Sequence, residues 1–155
     1  TIGSGDRAGE KIVVETPTYL EALLDFEGGA FGRLTTSFDT AHSLMDWGHP
    51  IVVFGTDAVM KVPDPNTFGG EVLVKGKDAE DWTPLPVAHG FPENSRGLGV
   101  RQIALALQGK GENLASGDLA LHVLEAMLSV AISSENGAFV NLETRPARPN
   151  PMPVG

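Results

Sequence analysis

The sequence predicts an α+β fold: a largely antiparallel, open-faced β-sheet with two helices packed on one face. Two observations predict it. Up to residue 85, short β-branched and aromatic runs alternate with turns that contain Gly, which is typical of hairpins. Beyond residue 94, the apolar positions change to helical spacing. Five to seven strands followed by two helices is the pattern of the α+β class.

The first elements are a short strand and a hairpin. Lys11–Thr16 is a β-branched run that predicts a strand. Tyr19–Phe26 and Ala30–Phe38 flank Glu27-Gly28-Gly29, and a Gly pair supplies the positive φ that a tight turn needs. Each hairpin strand alternates an apolar face with a mixed one, as in a sheet covered mainly on one side. The remaining sheet face is then solvated or covered by something outside this chain.

A second hairpin and two more strands complete the predicted sheet. Pro50–Phe54 and Ala58–Val62 lie on either side of a Gly-Thr-Asp turn. A Pro-Asp-Pro-Asn turn follows at residues 63–66, since these residues favour turn geometry. Glu71–Lys75 and Asp81–Leu85 are the last two strands of the meander.

Helix start and stop signals delimit two helices. The first has Asn94 or Ser95 as its N-cap and ends at Gly109. The second begins after Ser116 as N-cap and ends near Gly137.

The chain is predicted to hold one folded domain. Residues 1–10 form a flexible leader, 11–143 a single α+β domain, and 144–155 a Pro-rich extended tail. Phe139–Leu142 is a candidate last strand of the domain. A length of 155 residues is enough for one hydrophobic core.

Composition restricts the possible partners. The net charge of −9 argues against a nucleic acid or an anionic membrane as partner. No stretch is expected to reach the ~20 apolar residues of a membrane span. The first residues lack the features of a signal peptide. With no cysteine, disulfides and thiolate zinc sites are excluded, and a cytoplasmic location is the expectation.

Five sequence blocks in one order resemble a known family. They are Glu15-Thr16-Pro17-Thr18-Tyr19, Ser37-Phe38-Asp39, Val62-Pro63-Asp64-Pro65-Asn66-Thr67-Phe68-Gly69-Gly70, Glu93-Asn94-Ser95-Arg96-Gly97-Leu98-Gly99-Val100 and the run Ala115–Met127. Together they resemble the carboxy-terminal domain of the glucose-fructose oxidoreductase / inositol dehydrogenase (Gfo/Idh/MocA) family of nicotinamide-dependent dehydrogenases. The resemblance extends from about Gly9 to Pro149.

The resemblance implies that this chain is the half of an enzyme without the cofactor site. It would be the substrate-binding and oligomerisation domain of an NAD(P)-dependent oxidoreductase acting on a sugar, inositol or related polyol. A Rossmann domain missing from this chain would bind NAD or NADP, and the sheet face would join subunits of a homo-oligomer. The chain alone is expected to show no dehydrogenase activity. The alternative is a non-enzymatic α+β interaction module that uses its open sheet face to contact another protein.

Two glycine-containing segments could be mistaken for cofactor loops. Gly3–Gly9 has the wrong spacing for G-x-G-x-x-G and lacks the preceding strand and following helix that a Rossmann site needs. Arg96-Gly97-Leu98-Gly99 fails the same test; an anion could bind at this helix start, but a tight packing contact is favoured. No cofactor-binding residue is therefore predicted in this chain.

No catalytic residue is predicted either. Asp46 and His49 lie three residues apart, as in the family's motif, but Pro50 and the strand after it oppose the helix that the motif needs. The family's Glu-Lys-Pro motif is absent from the sequence.

The histidines do not predict a metal site. His42 and His89 lack metal-ligand spacing to a second histidine. His122 lies beside an apolar helical stripe, which favours a structural role.

Asp39, His42 and Arg96 are the residues expected to contact substrate. Their side chains can pair with hydroxyl groups, and an arginine at a helix start can bind a carboxylate. An ordinary structural role is the alternative for each of them.

Overall fold

The computed structural model describes residues 1–38, 40, 48–86, 88, 90–93 and 95–152. The chain forms two compact units, Thr1–Ala41 and His42–Gly155. It contains two antiparallel sheets and two α-helices, which confirms the predicted α+β class with open sheets. The division into leader, single domain and tail stays a prediction.

The first unit contains the predicted hairpin. Strands β1 (Tyr19–Asp25) and β2 (Phe31–Ser37) pair antiparallel along their whole length. The turn closes with a hydrogen bond from Gly29 N–H to the Phe26 carbonyl at 2.9 Å, and Gly29 has a φ of 81°. A residue with a Cβ would be strained in that conformation, so the Gly pair sets the position of the turn.

The pairing register confirms the two faces predicted for this hairpin. On the mixed face, Arg33 Nε lies 2.9 Å from Glu21 Oε1. On the other face Ala22 lies opposite Leu34, and Leu24 opposite Gly32. This second face is apolar.

The strand predicted at Lys11–Thr16 is wrong. The described residues 11–16 form no strand, and Val13 is 82% exposed. β-Propensity reflects packing on a paired, half-buried surface, and this segment has no partner strand in its unit. Just before it, residues 2–10 close into a loop through the bonds Ile2 N–H to Glu10 O and Gly9 N–H to Ile2 O, both 2.9 Å.

The second unit contains a four-stranded meander. Its strands are β3 (Ile51–Phe54), β4 (Ala58–Val62), β5 (Leu73–Gly76) and β6 (Thr83–Pro84), in that spatial order. The second hairpin and the two following strands are thus confirmed. The six strands of the described residues form two sheets, because β1 and β2 pair only with each other.

Two helices follow, α1 (Leu98–Leu107) and α2 (Gly117–Asn136). Ser116 caps α2 as predicted, since its Oγ accepts the Leu119 N–H at 3.2 Å, and α2 ends at Gly137 with a φ of 60°. Helix α1 starts later than predicted, with Gly97 as N-cap. A separate turn precedes it, because Leu98 N–H bonds to the Ser95 carbonyl at 3.0 Å.

Within the part of the second unit that the structure describes, the elements in extensive contact with one another are the neighbouring strands of the sheet. The described residues 139–142 form no strand. No hydrophobic side chain of the described residues is buried. Gln102, which is 9% exposed, is the one buried polar residue among them.

Helix α2 also corrects the expectation about membrane spans. Among the described residues, it alone is long and apolar enough to cross a membrane by length and composition, and a core helix of a soluble protein passes the same test. It carries Asp118 and Glu125, the latter near its middle. A carboxylate at the centre of a bilayer is costly.

Candidate functional site

The candidate site is the contact between two loops of the second unit. One loop joins β4 to β5 at residues 63–72, and the other, whose described residues are 91–93 and 95–97, precedes α1. Arg96 Nη2 donates a hydrogen bond to Asn66 Oδ1 at 2.8 Å across 30 positions of sequence. The Arg96 guanidinium also lies 5.7 Å from the centroid of the Phe68 ring. Two of the blocks that carry the family resemblance are thus in direct contact.

The first loop holds Asn66 in place through a short 3₁₀ turn, Pro65–Thr67. Asp64 caps the turn, and its Oδ1 accepts the Asn66 N–H at 2.9 Å. Thr67 Oγ1 donates to the Asp64 carbonyl at 2.8 Å. The Pro-Asp-Pro-Asn sequence therefore favours one local geometry, which presents the Asn66 side chain to Arg96.

The two loops also approach each other through their backbones. A Cβ built on Gly69 would lie 2.4 Å from the Pro92 carbonyl oxygen, so only glycine fits there. Gly69, the first glycine of the pair after Phe68, therefore permits the contact between the loops.

Positive φ angles occur at one phenylalanine in each loop. Phe68 has a φ of 65° and Phe91 a φ of 71°. Such angles are uncommon outside glycine and cluster at functional sites. Each ring lies beneath a guanidinium. The distance from the guanidinium carbon to the ring centroid is 5.7 Å for Arg96 over Phe68 and 5.9 Å for Arg101 over Phe91.

Arg96 is the predicted substrate residue that this site contains. Its bond to Asn66 uses one of several guanidinium N–H donors, and an arginine held in this way can bind a carboxylate or hydroxyl groups. Asp39 and His42 lie outside the described residues, so their roles stay predictions. Asp46 and His89 lie outside them as well.

Sequence reasoning missed the partners of Arg96. Asn66 and Phe68 lie inside the block from which the resemblance was recognised, but nothing in their spacing indicates a contact 30 positions away. The signal that could have found them is the glycine pair, since adjacent glycines after a rigid turn favour a close backbone approach.

A second polar cluster lies on α2. Glu125 Oε1 accepts the Glu143 N–H at 2.6 Å, and Glu125 Oε2 accepts the N–H and the hydroxyl of Thr144. His122 Nδ1 lies 2.7 Å from the same hydroxyl. The Thr144 hydroxyl, followed by the backbone N–H groups of Glu143 and Thr144, lowers the pKa of the Glu125 carboxyl, and His122 adds to this.

The arrangement of this cluster favours a structural role for His122. Since the Thr144 hydroxyl donates to Glu125, His122 Nδ1 must donate to Thr144. The hydroxyl lies between the imidazole and the carboxylate, so the carboxylate does not activate the imidazole directly. Among the described residues, no three His, Asp or Glu side chains are grouped to hold a metal ion.

No protein-family model, curated protein or solved structure matches this chain. The resemblance to the Gfo/Idh/MocA family rests on its five sequence blocks.

Proposed function

We propose that this chain is the substrate-binding and oligomerisation domain of an NAD(P)-dependent oxidoreductase acting on a sugar, inositol or related polyol. NAD or NADP would bind to a Rossmann domain outside this chain, in the cytoplasm. The observation that carries the assembly role is that no hydrophobic side chain among the described residues is buried. Apolar surface of this extent is typical of a surface that another protein covers.

The sheet of the second unit has one face that is mostly apolar and includes Thr83 opposite Val74. In the register, Ile51 lies opposite Val62 and Val53 opposite Met60, and Met60 lies opposite Val74. Alternate residues of a strand share a face, so these five side chains lie together. We call them the apolar sheet face. It contains no charged residue.

A second copy of the chain is the partner that best fits this face. The chain is acidic, with a net charge of −9, so two copies repel each other except where a contact surface lacks charge. A face without charged groups can meet its own copy about a two-fold axis, the commonest symmetry of homo-oligomers.

The opposite face of the sheet supports the substrate class. It carries Lys61, whose Nζ lies 4.3 Å from the centroid of the Trp82 ring, and Lys75, whose Nζ donates to the Glu80 carbonyl at 2.7 Å. Amine donors beside an aromatic ring are groups that bind hydroxyl-rich ligands. Arg96 would add a guanidinium donor, and Asp39 and His42 remain its proposed companions.

The alternative function, an interaction module without enzymatic activity, is favoured by the same apolar sheet face. The two proposed functions differ in the partner that covers the apolar sheet face and in whether the chain binds a polyol.

Light scattering coupled to size-exclusion chromatography tests the assembly role. We expect a dimer or larger oligomer for the chain, and a monomer for Val53→Lys. The matched control is Val52→Lys, because Val52 and Val53 are 41% and 47% exposed on opposite faces of β3. A monomeric chain, or equal effects of the two substitutions, would contradict self-association through this face.

Titration calorimetry with myo-inositol separates the two functions. If the chain binds myo-inositol and Arg96→Gln weakens this binding, the result supports the function as an oxidoreductase domain. If the chain does not bind myo-inositol, the result favours the interaction module. Turnover of any polyol with NAD or NADP by this chain alone would contradict the assignment of the cofactor site to another domain.

A further inference from the structure

A cleft lies where α1, the connection to α2 and residues 147–152 meet. Its larger chamber has a volume of about 500 Å³ and includes Gln102, Arg101 and Lys110 in its walls. A smaller chamber of about 280 Å³ includes Asn113 and Arg148. The two chambers share Glu112, Leu114 and Asn150 as walls. We call them together the α1–α2 cleft.

Gln102 lies in the wall of the larger chamber and is 9% exposed. Its side-chain amide carries two N–H donors and a carbonyl acceptor, so it can pair with the hydroxyl groups of a ligand in this chamber.

Asn113, in the wall of the smaller chamber, indicates that the cleft is built to bind a ligand. Its Oδ1 is buried and lacks a hydrogen-bond partner within the described part of the chain. This atom is an acceptor, so the group that satisfies it must be a donor such as a hydroxyl.

The charges of the cleft differ from those of the whole chain. The sequence has 11 basic and 20 acidic residues. Three basic residues, Arg101, Lys110 and Arg148, line the cleft. The acidic residue in its walls is Glu112, whose Oε2 already accepts the Asn150 Nδ2–H at 2.8 Å. The cleft is therefore locally cationic and would attract an anion.

We propose that the α1–α2 cleft binds a small carboxylate that carries several hydroxyl groups, such as a sugar acid. The carboxylate would pair with Arg101 and Lys110, and the hydroxyls would pair with Gln102 and Asn113. Phe91 and Leu105 provide apolar contacts for the carbon chain. The inference does not depend on the proposed function, since the cleft includes neither Arg96 nor the apolar sheet face.

Titration calorimetry with three probes tests the ligand class. D-Gluconate has both groups, butyrate has the carboxylate without hydroxyls, and myo-inositol has hydroxyls without charge. We expect gluconate to bind more tightly than either of the others. Equal binding of all three, or no saturable binding of gluconate, would overturn the proposal.

Substitutions then assign the binding to this cleft. Arg101→Gln removes a charge-assisted hydrogen bond and should weaken gluconate binding about tenfold. Lys77→Gln makes the same charge change in the turn before β6 and should leave the affinity unchanged. Equal weakening by both would show that net charge alone attracts gluconate, which contradicts a site in the cleft.

The hydroxyl contacts have their own test. Asn113→Leu should reduce the affinity for gluconate while it leaves that for butyrate unchanged. Gln102→Glu, which keeps the shape of the side chain, should weaken both ligands by repulsion. Far-ultraviolet circular dichroism of each variant shows that it is folded. If the folded variants bind gluconate as tightly as the unaltered chain does, gluconate binds outside the cleft and the proposal is overturned.

Discussion

Glu125 Oε1 accepts the Glu143 N–H at 2.6 Å and so attaches the segment after α2 to the middle of that helix. The same carboxylate accepts two further hydrogen bonds from Thr144. It therefore holds residues that local sequence alone would leave extended. The attachment also brings the chain back towards the α1–α2 cleft, whose walls include residues 147–152.

This attachment should weaken at acidic pH. The Thr144 hydroxyl and the two backbone N–H groups lower the pKa of the Glu125 carboxyl in the folded chain. A depressed pKa means that the carboxylate contributes stability above its ordinary pKa, and that this contribution is lost as the pH falls through the lowered value. Amide hydrogen exchange of Glu143 and Thr144, corrected for the intrinsic pH dependence, should show protection that decreases over this range.

Glu125→Gln should remove that pH dependence and reduce the protection at neutral pH. Glu135→Gln is the matched control, because Glu135 lies on the same helix away from residues 143 and 144. Protection of the two amides that remains constant on acidification would contradict the role of Glu125.

Gly69→Ala should destabilise the contact between the two loops of the candidate site. A Cβ at this position would lie 2.4 Å from the Pro92 carbonyl oxygen, so one backbone must move, at a cost of roughly 1–3 kcal/mol. Urea unfolding measures the loss of stability. Gly99→Ala in α1 is the control, since a Cβ there meets no atom within 4 Å, and it should stabilise the chain by ~0.5–1 kcal/mol.

The bond between Arg96 and Asn66 should appear as an energetic coupling. Arg96→Ala and Asn66→Ala each remove the same contact, so the double variant should lose less stability than the sum of the two. We expect a coupling of about 0.5–1 kcal/mol in a double-mutant cycle by urea unfolding. Additive effects would show that the bond does not connect the two loops in solution.

Ser116→Ala should destabilise α2 by about 1 kcal/mol, because the Leu119 N–H then loses its capping acceptor. Thermal unfolding followed by circular dichroism at the helix band gives the change. Ser134→Ala, an exposed position inside the same helix, should leave stability unchanged or raise it, since alanine is the better helix former. Equal effects at the two positions would argue against the cap.

The sequence by itself determined the features that depend on neighbouring residues. The Gly28-Gly29 turn, the Ser116 cap and the end of α2 at Gly137 were all predicted, because a backbone angle or a single hydrogen bond within a few residues sets each of them. The alternation of apolar residues likewise predicted the two faces of the first hairpin.

Tertiary structure decided the features that need a distant partner. Lys11–Thr16 has strand-forming residues but no strand to pair with, so its propensity has no effect. Arg96 reaches Asn66 across 30 positions, and Glu125 reaches Thr144 across 19. A hydrogen bond between distant residues exists only where the packed chain brings donor and acceptor together, and no local pattern in the sequence records that distance.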